Sequence, residues 1–149
     1  MTGGNAIAAV LSLSAGLAAA AQVAIFGRFG DRVGTLPAVA FSCVVTAVVA
    51  ALALLVATRS LGGLATAAAA PRWMWLGAVA GTFIVFSVTL AAPRIGTFAT
   101  LALIIAGQLT LGAVIDRFGL FGLHQIPLTA YRVAGIILLA TGAVLALKR

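Results

Sequence analysis

Residues 73–123 read WMWLGAVAGTFIVFSVTLAAPRIGTFATLALIIAGQLTLGAVIDRFGLFGL and decide the fold. They contain two uncharged runs of 21 residues, Trp73–Pro93 and Ile95–Ile115, separated by the single charged residue Arg94. About 20 apolar residues, at a rise of 1.5 Å per residue, cross a hydrocarbon core of about 30 Å. Each run is therefore long enough to span a bilayer, and the pair predicts a helical hairpin with Pro93 and Arg94 in its turn.

The composition of the whole chain is that of a membrane protein. Of its 149 residues, 64% are hydrophobic and 7% are charged, and the mean hydropathy is +1.27, whereas soluble domains carry about 25% charged residues. The net charge of +7 comes from Lys and Arg scattered singly or in pairs at the ends of apolar runs. Such charges are typical of interfacial anchors and topology signals. We therefore expect the lipid bilayer as a partner, a multi-pass location in the cell (inner) membrane, and no nucleic-acid partner.

Three further apolar segments complete an all-α polytopic membrane protein with a single membrane domain. The GRFGDRVG segment at residues 27–34 predicts a loop after the first helix, and residues 60–71 are too few to span. The last uncharged run, Val133–Leu147, has 15 residues and is also short, but a helix that starts near Leu128, with Thr129 as N-cap, is long enough. The five predicted transmembrane helices cover about residues 5–26, 36–58, 73–92, 95–115 and 128–147.

Small residues in two helices indicate close helix packing. Gly16 and Ala20 are four residues apart in the first helix, and Gly77 and Gly81 form a GxxxG pair in the third. Such pairs let two backbones approach closely. We therefore predict that Gly16, Gly77 and Gly81 are helix-packing residues.

The most polar stripe lies on the fourth helix, where Thr97, Thr100 and Gln108 share one face. Gln108 is 13 residues into its run of 21, near the bilayer midplane, where transporters bind their substrates at repeat interfaces. Its amide has two donors and an acceptor oxygen for a neutral polar molecule. The competing interpretation is that Gln108 bonds another helix. The predicted substrate-binding residues are Gln108, Thr100 and Thr97, with Gln22 and Ser12 of the first helix.

Asp116 and Arg132 are predicted to form a structural ion pair. The shortness of the last apolar run places Arg132 one turn inside its helix, where it must snorkel or pair. Asp116 is the acid on the same side of the membrane.

With two acids, one His and one Cys in the chain, we predict no enzyme activity, no metal site and no cofactor.

The basic residues are almost evenly divided between the two sides of the membrane. With five helices, four lie on the N-terminal side and five on the other, namely Arg59, Arg72, Arg117 and Arg132 against Arg28, Arg32, Arg94, Lys148 and Arg149. Excess Lys and Arg normally decide which side stays cytoplasmic, so this balance predicts insertion in both orientations and an antiparallel homodimer. The alternative, that one charge decides a single orientation, stays open.

The segment AAPRIGTFATLALIIAGQLTLGAVIDRFGLFGL, followed by PLTAYRVAGIILLATGAVLAL, resembles the YdcZ-type, half-size branch of the drug/metabolite transporter superfamily. LSAGLAAAAQ and WLGAVAGTFIVFSV fit the same pattern, so the resemblance covers nearly the whole chain. The resemblance implies a bundle like one half of a ten-helix transporter, working as an antiparallel dimer of dual-topology, paired or fused copies. Two oppositely inserted copies would form an inverted repeat.

Three functions remain open from the sequence. The first is a transporter, in the export direction, that moves a small metabolite by alternating access in a dual-topology dimer. The uncharged runs hold no carboxylate, and an intramembrane carboxylate is the usual partner of protons and cationic cargo. We therefore expect a neutral cargo, or an anionic one held by Arg94 or Arg132. The alternatives are a dual-topology ion channel, which needs a continuous polar lining, and a non-transporting membrane scaffold or subunit.

Overall fold

The computed structural model describes residues 3–147. Within that range the chain is helical apart from short turns and one connector. The α-helices are α1 (Gly3–Val33), α2 (Thr35–Thr58), α3 (Gly62–Ala68), α4 (Leu76–Ile95), α5 (Thr97–Phe118) and α6 (Ala130–Ala146), with short 3-10 turns at Arg72–Trp75 before α4 and at Leu120–Gly122 after α5.

Four helices, α1, α2, α4 with its preceding turn, and α5, are long and apolar enough to cross a membrane, and α6 is shorter. In each of the four, at most 11% of the most apolar 18-residue window is buried. Large side chains such as Leu13, Val56 and Phe83 are 68% to 82% exposed. Apolar surface of this extent is unfavourable in water. The described residues therefore confirm an all-helical, multi-span membrane fold, while the fifth span and the dimer remain predictions.

Single glycines separate two pairs of consecutive helices. Gly34 separates α1 from α2 with φ +91°, and Gly96 separates α4 from α5 with φ +86°. These backbone conformations are costly for any residue that carries a Cβ. The amide of Gly34 donates to the Gly30 carbonyl at 2.8 Å, and the Gly96 carbonyl accepts from the amide of Thr100 at 3.1 Å. The Gly34 carbonyl also accepts from the amide of Ala38, at 3.1 Å, so the helical hydrogen-bond pattern continues through Gly34.

The loop predicted at residues 27–34 is wrong, because α1 continues to Val33. The glycines that suggested a loop lie against α4 instead. A Cβ added at Gly27 would be 3.2 Å from the Ala92 Cβ, and one added at Gly30 would be 2.5 Å from the Thr89 Cγ2. Gly27 and Gly30 therefore allow close helix contact rather than chain reversal.

Two other predicted helix ends lie inside helices. Pro93 and Arg94, predicted as the hairpin turn, belong to the last turn of α4, and the break between α4 and α5 falls at Gly96. Asp116, predicted to lie just beyond its helix, is inside α5, which ends at Gly119 with φ +60°. α6 begins at Ala130, and Thr129 is its N-cap, whose Oγ1 accepts from the amide of Arg132. In each case the helix ends where a residue can leave the helical conformation rather than where charge first appears.

The chain divides into two compact units, of which residues 24–93 form one. In this unit the rings of Phe29 and Phe41 pack edge to face with centroids 5.8 Å apart. The Thr89 side chain is 2% exposed, and its hydroxyl donates to the Val85 carbonyl at 2.7 Å. Thr89 is therefore buried and packed closely against α1 in this unit.

The other unit comprises the chain up to Val23 and from Arg94 onward. Here α5 packs against α6. The connector between them, residues 119–129, is tied to the end of α5, because the amide of Ile126 donates to the Asp116 carbonyl at 2.8 Å. The side chain of Gln125 also reaches the Phe118 carbonyl, at 3.5 Å. The connector therefore holds the first turn of α6 beside the last turn of α5.

The predicted packing glycines have no close neighbour inside their own units. Among the described residues, no heavy atom lies within 4 Å of a Cβ added at Gly16, Gly77 or Gly81. Sequence spacing therefore selected different glycines from those that pack within the chain, Gly27 and Gly30. A packing role for Gly16, Gly77 and Gly81 requires a second copy and stays a prediction.

We predict that Gly30→Ala destabilises the protein, whereas Gly107→Ala does not. The added methyl group would meet Thr89 Cγ2 at 2.5 Å and the Thr89 carbonyl oxygen at 3.3 Å, and over-packing of this kind costs about 1–3 kcal/mol. Around Gly107 an added Cβ meets nothing within 4 Å. Thermal unfolding in detergent should show a lower Tm for Gly30→Ala alone. Equal Tm values for the two variants would contradict the close contact.

Candidate functional site

Gln108 lies in the middle of α5 with its side chain exposed. It makes no hydrogen bond to any residue in the described part of the chain. An amide without a partner is costly in hydrocarbon, on the order of several kcal/mol. The side chain therefore needs a polar partner from outside the single chain.

Thr100 and Thr97 occupy the first turn of α5. Thr100 is 2% exposed, and its hydroxyl donates to the Gly96 carbonyl at 2.8 Å. Thr97 is half-buried. Thr100 precedes Gln108 by eight residues, about 12 Å along the helix axis. Burial and this hydrogen bond give Thr100 a structural role at the start of α5.

The two candidates on α1 are exposed. The hydroxyl of Ser12 donates to the Ala8 carbonyl at 2.8 Å, so its hydrogen is used within its own helix. Gln22 is exposed near the middle of α1, which extends beyond the helix end predicted from the sequence. No hydrogen bond within residues 6–147 joins any two of the five candidates Gln108, Thr100, Thr97, Gln22 and Ser12.

Asp116 and Arg132 form a salt bridge between the last turn of α5 and the first turn of α6. The distance from Arg132 Nη1 to Asp116 Oδ2 is 3.0 Å, with side-chain exposures of 42% and 35%. The N-cap hydrogen bond from the amide of Arg132 to Thr129 Oγ1, at 3.4 Å, fixes the start of α6. The Ile126 amide on the Asp116 carbonyl fixes the connector. The pair therefore joins the end of α5 to the start of α6, and both charged side chains are partly buried.

Two grooves run along the seam between α5 and α6. One, of about 390 Å³, is lined by the ion pair and by apolar residues such as Leu109 and Gly112. The other, of about 420 Å³, has apolar walls that include Phe98, Ile105 and Gly142. The seam is not among the features predicted from the sequence, although small residues recur in both helices, at Gly112 and Ala113 and at Gly135 and Gly142. Within the described residues, no cluster of His, Cys, Asp or Glu side chains could hold a metal ion.

We predict a modest but measurable coupling between Asp116 and Arg132. Because both side chains are more than one-third exposed, a double-mutant cycle of Asp116→Asn and Arg132→Gln should give about 0.2–1 kcal/mol of interaction energy. Thermal unfolding in detergent at low salt is the measurement, and the coupling should weaken at high salt. A coupling of zero at low salt would show that the pair does not stabilise the helix ends.

The chain matches a known protein family. The family described as "Putative inner membrane exporter, YdcZ" matches residues 7–145. Neither a curated protein nor a solved structure matches the chain. The match covers far more than half of the chain, confirms the resemblance seen in the sequence, and agrees with four helices long and apolar enough to cross a membrane. The chain is therefore a multi-pass inner-membrane protein that belongs to the YdcZ family of exporters.

Proposed function

We propose that this protein exports a small neutral or anionic metabolite by alternating access, as a homodimer of two oppositely inserted copies. Each copy supplies five membrane helices, with α6 as the fifth, and the pair forms a ten-helix bundle. The cargo site lies in the central cavity between the copies. Family membership supports export across the inner membrane. The unpartnered amide of Gln108 and the balance of basic residues support the position of the site and the dimer.

The observation that carries the proposal is the unpartnered amide of Gln108. It is exposed in the middle of a 22-residue apolar helix, where lipid offers no hydrogen bond. Intramembrane polar groups of this kind face a bundle interior or a water-filled cavity. A second copy placed against this face of α5 would satisfy Gln108 or enclose it in a polar cavity.

The charge balance supports opposite insertion of the two copies. Four basic residues fall on one side and five on the other when five helices alternate. Lys148 and Arg149, which contribute to this count, lie outside the described residues. Two oppositely inserted copies form an inverted repeat, in which transporter sites lie near the midplane. The open faces at Gly77 and Gly81 would then pack against protein.

The cargo chemistry follows from the charges that are available. The two acids of the chain are Asp31 in the last turn of α1 and Asp116 in the last turn of α5. Asp116 is eight residues from Gln108, about 12 Å along the helix axis. The guanidinium of Arg132 is already held by Asp116. A site centred on Gln108 therefore offers amide donors and an acceptor without a fixed charge, which favours a neutral polar cargo over a cationic one.

We predict that a C-terminal reporter is detected on both sides of the membrane. Near-equal numbers of Lys and Arg give the insertion machinery little preference. Two Lys residues added to the connector after α5, or two added at the α4–α5 turn, should each fix one orientation, and the two orientations should be opposite. Reporter signal confined to one side in the unmodified protein would refute dual topology.

We predict that Gln108→Leu removes ligand binding but leaves the fold. Interhelical side-chain bonds average about 0.6 kcal/mol in membranes, so the variant should stay dimeric with a Tm close to that of the parent protein. The measurement is a thermal-shift screen against neutral polar, anionic and cationic metabolites, followed by transport of the compounds that stabilise the parent protein. Saturable transport of those compounds identifies a carrier, and non-saturable flux identifies a channel.

Thr110→Val is the matched control for Gln108→Leu. Its hydroxyl is also exposed on α5, but it donates to the Ala106 carbonyl at 2.8 Å. It should retain binding and transport. If Gln108→Leu also retains them, Gln108 is not a site residue, and Gln22 becomes the next candidate. If Gln108→Leu loses the dimer and its Tm falls, the amide joins helices instead.

A further inference from the structure

A third groove, the Arg117 groove, lies on another face of α5 and α6. It holds about 300 Å³ and is lined by Thr110, Val114, Arg117, Phe118, Leu128 and Val133, among others. The hydroxyl of Thr110 donates to the Ala106 carbonyl at 2.8 Å, so its hydrogen is not directed to the groove. The walls are therefore apolar, and Arg117 borders the groove at one end with the aliphatic part of its side chain.

Arg117 has no counter-ion in its own unit. Asp116 is the only acid in that part of the sequence, and its carboxylate is 3.0 Å from Arg132. The Arg117 side chain is exposed and makes no hydrogen bond or ion pair with any described residue. An anion for this guanidinium must therefore come from outside the unit.

The groove extends part of the way into one membrane leaflet. Arg117 is one residue from the end of α5, and the ring of Tyr131, 91% exposed in the first turn of α6, is of the type found at the headgroup level. Thr110 lies seven residues further into α5, about 10 Å deeper, whereas half of the hydrocarbon core is roughly 15 Å. The groove therefore begins among the headgroups and enters one leaflet.

The walls and the position of the groove suit an acyl chain. The groove holds about 300 Å³, and its lining is apolar apart from Arg117, which lies at the end of α5. An anionic lipid places a phosphate at this level of the membrane and an acyl chain below it, which matches a basic residue above an apolar groove.

We propose that the Arg117 groove binds one anionic phospholipid, with the phosphate on the Arg117 guanidinium and an acyl chain between α5 and α6. The connector residue Leu128 forms one wall at the mouth, so the bound lipid touches both helices and their connector. The site lies apart from Gln108 and does not depend on which cargo the protein carries.

The experiment is native mass spectrometry of the full-length protein with added phosphatidylglycerol or phosphatidylcholine. The parent protein should retain phosphatidylglycerol in preference. Arg117→Gln should weaken phosphatidylglycerol binding about fivefold, the effect of one basic residue near an anionic headgroup, and weaken phosphatidylcholine binding less, because the choline cation offsets its phosphate. Arg72→Gln is the control, because Arg72 is exposed and does not line the groove. Equal loss in both variants would reduce the effect to general surface charge and overturn the site.

A second variant and a second probe test the acyl chain. Val114→Trp fills the groove at a position that is already 41% exposed, so the protein should fold and lose both lipids. Unchanged phosphatidylglycerol binding in this variant would refute the groove. Inorganic phosphate alone should not raise the Tm. Stabilisation by phosphate equal to that by phosphatidylglycerol would show a free-anion site and overturn the lipid assignment.

Discussion

The hydrogen-bonding requirement of the backbone in hydrocarbon governs this structure. Lipid offers no partner for an amide or a carbonyl, so the spanning segments must be helices. Gly34 and Gly96 reduce the α1–α2 and α4–α5 connections to one residue each. Helical hydrogen bonds lie on both sides of Gly34 and on the α5 side of Gly96. The longer connector, residues 119–129, follows the same rule at the end of α5, where its Ile126 amide caps the Asp116 carbonyl.

The same requirement separates Gln108 from the other polar residues. The hydroxyls of Ser12, Thr100 and Thr110 each donate to a carbonyl four residues earlier in their own helix. A hydroxyl can satisfy its hydrogen in this way, whereas the Gln108 amide has two donor hydrogens and an acceptor oxygen. The polar stripe of α5 is therefore satisfied within the helix at Thr100. The amides of Gln108 and Gln22 still need an external partner.

The sequence predicts the existence of the helices well and their contacts poorly. Uncharged runs of about 20 residues reflect the thickness of the bilayer, so they locate the spans. Thr129, a residue that can cap a helix, locates the start of α6. A glycine can mark either a loop or a close contact between helices, and a single sequence does not distinguish the two. Gly27 and Gly30 look like a loop but meet α4, whereas the GxxxG pair of Gly77 and Gly81 meets nothing in its own unit. The contact partner of a glycine depends on the rotation of two helices, which hydropathy does not encode.

The pairing of charges also bears on the orientation of the chain. One acid falls on each side, Asp116 with four basic residues and Asp31 with five. Subtracting each acid leaves three positive charges on one side and four on the other, so the bias stays at one charge whether or not acids count toward topology. The Asp116–Arg132 pair stabilises a helix junction without tilting this balance. Within the described residues, Arg117 then remains a cation without a partner at the membrane boundary. An anionic headgroup bound there would neutralise it equally in either orientation, because both leaflets offer phosphates.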